Sequence, residues 1–300
     1  SLISFIKKFY LKFFYFLFLL IFFTYIFYPV FWANPFSIFA SIEQMGNFYN
    51  DVCTKTLGTC MYAKNLPATY IPIWLSVKLP FLILLGIFLV PFTEKKIFLS
   101  PKKTIFFGTI IGTIIVIPLI LIFKKVYLYD ELRHIMFLIP LFFIIGCVSL
   151  YTFSKNFFYI LGLLTLSIFI FENIKINPYQ YVWFNIPSRI IDLPNKFELE
   201  YQGLSGKKIA EKISSTNIEN LCILVSPSYS IKPFLDQTKF NCIDKWQLID
   251  TNYQRPFLAV QHVRNIKKGM PYKCKTIHEE DFKLLFIKKK FVTGRLLKCY

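Results

Sequence analysis

The chain has 300 residues, of which 55% are hydrophobic and 19% aromatic, including 36 Phe, and it carries a formal net charge of +18. A soluble domain is about 45–50% apolar and spreads those residues through its elements. Here they lie in long blocks, several reaching the ~20 residues that cross a bilayer's hydrocarbon core, so an ordinary soluble domain is excluded. Nucleic-acid binding is not implied by the charge: much of it is lysine flanking apolar blocks, as in membrane proteins, and no nucleic-acid reader motif accompanies it.

The first apolar block, about 13–31, is too long for the core of a signal peptide and lacks a clear small-residue cleavage site, so it reads as a span. The chain starts with Ser and reaches this span almost at once, and it therefore reads as the C-terminal portion of a longer protein. Further spans follow at about 70–90, 104–123, 134–151 and 157–171. The expected architecture is an α-helical membrane protein of about five transmembrane helices over 1–172, followed by a small C-terminal α/β extracytoplasmic domain over 173–300. The amino terminus, the 93–103 loop and the turn between the last two spans hold eight lysines: Lys7, Lys8, Lys12, Lys95, Lys96, Lys102, Lys103 and Lys155. The loop 32–68 has only Lys55 and Lys64 against Glu43 and Asp51, and the 124–133 loop has three basic residues against Asp130 and Glu131. Positive charge marks the cytoplasmic side, which places the amino terminus inside the cytoplasmic membrane and residues beyond Glu172 outside. Tyr28, Trp32, Tyr70 and Trp74 fall where an aromatic belt would lie.

Cysteine usage agrees. Cys147 falls within a span, whereas Cys53, Cys60, Cys222, Cys242, Cys274 and Cys299 all fall in segments assigned outside, where disulfides persist. Cys53 with Cys60 would close a small loop. The other four allow three pairings, of which Cys222–Cys242 with Cys274–Cys299 is favoured by proximity alone; free buried thiols are the alternative. No Cys-x-x-Cys pair suggests zinc, and no cofactor is expected, with a divalent ion left open. In the outer domain a helix capped by Ser205 is expected to run to about Ile213, with strands at 221–225, 257–263 and 284–291. His262 and His278 are isolated and read as surface or structural residues.

Two features point to chemistry. Lys78 lies about eight residues into the second span, roughly 12 Å from its outer end. An ionisable residue at that depth marks a functional site by default, though snorkelling to the interface also accounts for it. Pro80 would leave the carbonyl of Ser76 without its helical donor. The second feature is Tyr-Asp-Glu-Leu-Arg-His, residues 129–134. The planar fork of Arg133 suits phosphate, His134 can donate to the same group or shuttle a proton, and Asp130 or Glu131 can orient Arg133 or act on a substrate hydroxyl. A solvated turn with local ion pairs is the competing reading. A lipid-linked phosphate would suit cations at this level, and Lys78, Lys124, Lys125, Arg133 and His134 converge if spans two to four pack together.

Leu-Pro-Ala-Thr-Tyr-Ile-Pro-Ile-Trp-Leu (66–75) with Lys-Leu-Pro (78–80), then Tyr-Asp-Glu-Leu-Arg-His-Ile-Met-Phe (129–137), Asn-Pro-Tyr-Gln-Tyr-Val-Trp-Phe-Asn (177–185) and Tyr-Gln-Gly-Leu-Ser (201–205) occur in this order. The series resembles the last spans of bacterial polytopic membrane glycosyltransferases of the protein O-mannosyltransferase and lipid A aminoarabinose transferase type (the GT-C superfamily), over roughly residues 30–210. The resemblance implies transfer of a sugar from a polyprenyl-phosphate donor to an extracytoplasmic glycan, lipid or protein acceptor. It carries Lys78, Arg133 and His134 over as donor-phosphate contacts, with Lys124, Lys125, Asp130 and Glu131 in support. The family's catalytic carboxylate lies in its first outer loop, which 32–68 does not match. The base is therefore expected upstream of this chain, the catalytic residue is unassigned, and the chain alone is expected to be inactive. A non-enzymatic anchor presenting an extracytoplasmic interaction domain is the alternative. A transporter ranks last, because no internal repeat is visible.

Overall fold

The computed structural model describes residues 2–47, 52–216, 220–245, 256–263, 273–287 and 289–300. Asp51 and the side chains of Lys7, Lys8 and Glu43 lie outside the described residues. The chain divides into two compact units, Ser1–Asn50 and Asp51–Tyr300.

The first unit holds α1 (Leu2–Phe27), a short 3-10 turn and α2 (Ser37–Asn47), so part of the loop expected at 32–68 is helical. The indole of Trp32 donates to the Tyr25 carbonyl at 2.6 Å, and the Tyr25 hydroxyl donates to the carbonyl of Pro35, which ties the end of α1 to the chain beyond it. Among the described residues, Lys12–Phe27 of α1 is an apolar helix.

The second unit starts with a hairpin, β1 (Cys53–Thr56) and β2 (Thr59–Tyr62), joined by Leu57 and Gly58, both with positive φ, as a two-residue hairpin turn demands. The Cys53–Cys60 disulfide closes it. Next come α3 (Tyr70–Lys78), α4 (Phe81–Phe88), α5 (Val90–Ile97), α6 (Pro101–Phe123), α7 (Ile139–Phe153) and α8 (Lys155–Lys175). Among the described residues three segments are long and apolar enough to cross a membrane: Pro101–Phe123, Arg133–Phe153 and Lys155–Lys175. The stretch expected as one span at 70–90 is instead two helices bent by 119°. The bend has a covalent cause. Pro80 has no N–H for Ser76, and Asn185 takes over: its Nδ2 donates to the carbonyls of Ser76 at 2.7 Å and Leu79 at 2.8 Å, while its own N–H donates to Val77 at 2.9 Å. The α4 helix then packs on α7 backbone to backbone. A Cβ on Gly86 would stand 2.0 Å from the Gly146 carbonyl oxygen, so only glycine permits this crossing.

After α8, and a short helix α9 (Leu193–Lys196), comes α10 (Ser205–Ser215), then the strands β3 (Cys222–Ser226), β4 (Cys242–Lys245), β5 (Phe257–His262), β6 (Cys274–Phe282) and β7 (Phe291–Cys299). The five strands form one mixed sheet in the order β4-β3-β5-β7-β6, with β3 parallel to both its neighbours and β7 antiparallel to both of its own. Cys222–Cys242 and Cys274–Cys299 are disulfides, and each clips an edge strand to its neighbour at a register pair. Ile209 and Ile213 of α10 cover one face with Val225, Val260 and Leu296.

Three expectations change. The run 284–291 is not one strand: residues 284–287 belong to the turn between β6 and β7, and only its last residue, Phe291, enters the sheet, opening β7 opposite Phe282. In that turn Leu284 and Ile287 pack against the same core as Tyr70, Trp74 and Phe184. Tyr70 and Trp74 are not an aromatic belt, since both are fully buried and the Trp74 indole donates to Thr56 Oγ1 at 3.0 Å. Ser205 does not cap α10. The carboxylate of Glu200 accepts from the N–H groups of Gly203 (2.5 Å) and Leu204 (3.2 Å) there, and the Ser205 hydroxyl meets His262 Nδ1 at 2.9 Å. His262 is buried between that serine and Ser230, whose Oγ lies 2.8 Å from Nε2, and burial pushes its pKa down to about 4.

One apolar core joins the two parts of this unit. It runs from Tyr70, Trp74 and Leu82 through Tyr179 and Phe184 to Phe282 and Phe291 at one end of the sheet.

Candidate functional site

The residues 129–134 close over the end of α3. Asp130 and Glu131 both have positive φ, 54° and 66°. Neither is glycine, and the left-handed region costs about 1–2 kcal/mol for each such residue. Three contacts hold them. The Asp130 N–H donates to Thr54 Oγ1 of the hairpin at 2.9 Å, the Tyr70 hydroxyl donates to the Glu131 carbonyl at 3.3 Å, and Lys78 Nζ meets Glu131 Oε2 at 2.7 Å. The Lys78 ammonium also donates to the Tyr181 carbonyl at 3.0 Å and lies 4.2 Å from the centre of the Phe184 ring. Lys78 and Glu131 are both almost fully enclosed.

Burial pushes the Glu131 carboxyl up to about 7, although the Lys78 ammonium pulls the other way. Its second oxygen, Oε1, is buried without a hydrogen-bond partner among the described residues. Nearby, the Tyr181 hydroxyl donates to the Glu200 carboxylate, and the Tyr181 and Tyr201 rings meet edge to face at 5.2 Å. Burial raises the pKa of Glu200, and burial with neighbouring carboxylates raises those of both tyrosines. Asp130, Glu131, Glu198 and Glu200 are all buried, so carboxylates outnumber the lysine at this site.

Arg133 is half exposed and stands 3.6 Å from Asp130. His134 is exposed, with its imidazole edge-on to Tyr129 at 4.6 Å. The structure thus brings together Lys78 with Glu131 and Arg133 with Asp130. Lys124 and Lys125, both exposed, follow α6. Lys125 lines a cavity of about 230 Å³ with Lys64, Pro67, Tyr70 and Leu121, and that lining includes none of Lys78, Arg133 and His134. Among the described residues no group of three or more His, Cys, Asp or Glu is arranged to hold a metal ion.

The sequence reading missed a second buried ion pair. Arg189 donates to Glu172 at 2.6 and 2.7 Å, to the Phe184 carbonyl at 3.0 and 2.5 Å, and to the Leu285 carbonyl at 3.0 Å. Glu172 also accepts from the Trp183 indole at 2.9 Å and the Leu285 N–H at 2.8 Å. This pair ties the end of α8 to the β6–β7 turn. Its signal was a carboxylate in the last turn of an apolar helix and an arginine in an apolar exit segment, since charges in such places need partners.

Set against known protein families, characterised proteins and solved structures, the chain matches none.

Proposed function

We propose that this chain is the C-terminal part of a multi-pass glycosyltransferase of the cytoplasmic membrane. Its amino terminus lies inside, its disulfide-clipped sheet lies outside, and the 129–134 turn holds the phosphate of a polyprenyl-phosphate sugar donor. The carrying observation is the half-exposed Arg133 at the start of a span, above a buried Lys78–Glu131 pair. A guanidinium presents a planar fork to phosphate, and the neighbouring His134 can add a donor. Lys78 is committed to Glu131, so its role is to position the turn rather than to touch the donor. Lysine density at the opposite ends of the spans and disulfides in the sheet support the orientation. The transfer chemistry itself is assigned to no residue of this cluster.

The test is binding of farnesyl phosphate and of farnesol to the full chain in phosphatidylcholine nanodiscs. Farnesyl phosphate should bind more tightly, and Arg133→Ala should weaken it at least about tenfold, or roughly 1.4 kcal/mol, with thermal stability unchanged. Equal binding of the two compounds, or an unaffected variant, would overturn the phosphate role. It would favour the anchor reading, to which the mutual neutralisation of Lys78 and Glu131 already lends support.

A further inference from the structure

The bend at Leu79–Pro80 leaves an apolar groove of about 550 Å³ between the start of α4 and α8, roofed by the 183–190 segment and by Phe286. Along α8 it extends from Leu161 to Phe169, about 12 Å at 1.5 Å per residue. Its floor is continuous with the exposed apolar surface of α8, where Ile160, Leu163 and Ile170 are at least half exposed. Its roof carries large apolar side chains that no described residue covers: Ile190 is 90% exposed and Phe286 73%. Phe286 holds its place with φ at 62°, a conformation rare for a bulky residue. The charged group in the wall, Arg189, has its donors committed to Glu172, Phe184 and Leu285. The groove therefore offers hydrocarbon contact and no free charge.

The polar recognition lies beside it. Residues 283–290 read Lys-Leu-Leu-Phe-Ile-Lys-Lys-Lys, four lysines flanking the apolar tip with no acidic residue among them. Lys289 and Lys290 pair with Asp192 and Asp281 at 3.0 Å, but both lysines are well exposed, and such pairs are weak enough to yield to a stronger anion. An exposed aromatic tip among lysines, at the open end of a groove continuous with a lipid-facing helix, suits an amphiphile with an uncharged chain and an anionic head.

We infer that an anionic glycerophospholipid docks here, with one acyl chain along α8 beneath Phe286 and its headgroup over Lys283, Lys289 and Lys290. The β6–β7 turn then rests on the bilayer surface, and through the Arg189–Glu172 pair it keeps the sheet seated on the spans. The inference rests on the membrane reading and is independent of sugar transfer.

Trp183 lines the groove and can report its occupant. The experiment uses the full chain with Trp32→Phe and Trp246→Phe, leaving Trp183 and the fully buried Trp74. The protein is reconstituted into phosphatidylcholine vesicles doped with a minor fraction of mid-chain brominated lipid. Brominated phosphatidylglycerol should quench Trp183 at least about twofold more than brominated phosphatidylcholine, and unbrominated phosphatidylglycerol should reverse the excess. Lys289→Gln with Lys290→Gln, both at exposed sites, should remove the preference. Equal quenching by the two lipids, or a preference that survives the lysine substitutions, overturns the inference. So does displacement by farnesyl phosphate at equal mole fraction, which would give the groove to a prenyl chain. Failure of the chain to enter vesicles would overturn the membrane reading together with it.

Discussion

Two buried ion pairs sit at the edges of one core and are built to opposite standards. In the Glu172–Arg189 pair the guanidinium donates to three partners, and the carboxylate accepts from the guanidinium, an indole and a backbone amide. In the Lys78–Glu131 pair one carboxylate oxygen is buried without a partner among the described residues, and the backbone that carries it is left-handed at two consecutive residues. A satisfied pair is a fixed joint. A pair with an unmet acceptor and a constrained turn stores free energy of the kind found at sites that bind or switch. The first pair holds the β6–β7 turn to the end of α8; the second underlies the residue proposed to meet phosphate.

The largest effect should come from breaking the satisfied pair. Arg189→Ala leaves the Glu172 carboxylate buried with its cationic partner gone, which costs about 3–5 kcal/mol. Replacing both, Glu172→Leu with Arg189→Met, should recover most of the loss. Denaturation of the three proteins in mixed detergent micelles measures this. A double variant as unstable as the single would mean that the joint acts through the Phe184 and Leu285 contacts rather than through the pair.

How much of this was legible in the sequence follows from the range of each interaction. The long apolar helices, the consequence of Pro80 at Ser76, the helix from Ser205 and the strands near 221–225 and 257–263 are written in local pattern, and the structure contains them. The disulfides could be paired by proximity because each joins neighbouring strands of short separation. The two ion pairs were not legible, since Lys78 meets Glu131 across 53 positions, and Glu172 and Arg189 were assigned to different segments. The strand Cys274–Phe282 was missed for another reason. It contains Glu279, Glu280 and Asp281 and lies at an edge of the sheet, so apolar alternation is weak, while the apolar turn that follows it resembled a strand.

A smaller effect should follow from loosening the hairpin that holds the unsatisfied pair. Cys53→Ser with Cys60→Ser removes a short loop closure and should cost about 2 kcal/mol. Because Thr54 holds the N–H of Asp130, hydrogen exchange at Asp130 and Glu131 should accelerate in this variant while exchange in β5 does not. Unchanged exchange at these two residues would show that Tyr70 and Lys78 hold the turn without the hairpin.

The smallest effect should be Lys78→Met at neutral pH, on the order of 1 kcal/mol by the linkage of about 1.4 kcal/mol per pKa unit, and its size depends on pH. The Glu131 carboxyl titrates near 7 in the folded chain against an ordinary 4.5, so between these values the folded state holds the proton more tightly than the unfolded one. Its contribution to stability is complete below about 4.5 and declines as pH rises through about 7. Removing the ammonium raises this pKa further, so the variant should keep losing stability above pH 7 where the wild type has levelled off. The gap between them should therefore widen above pH 7 and close on acidification, where a protonated Glu131 no longer needs the lysine. A Lys78→Met gap that stayed constant across this range would remove the distinction between the two pairs, since both would then act as fixed joints.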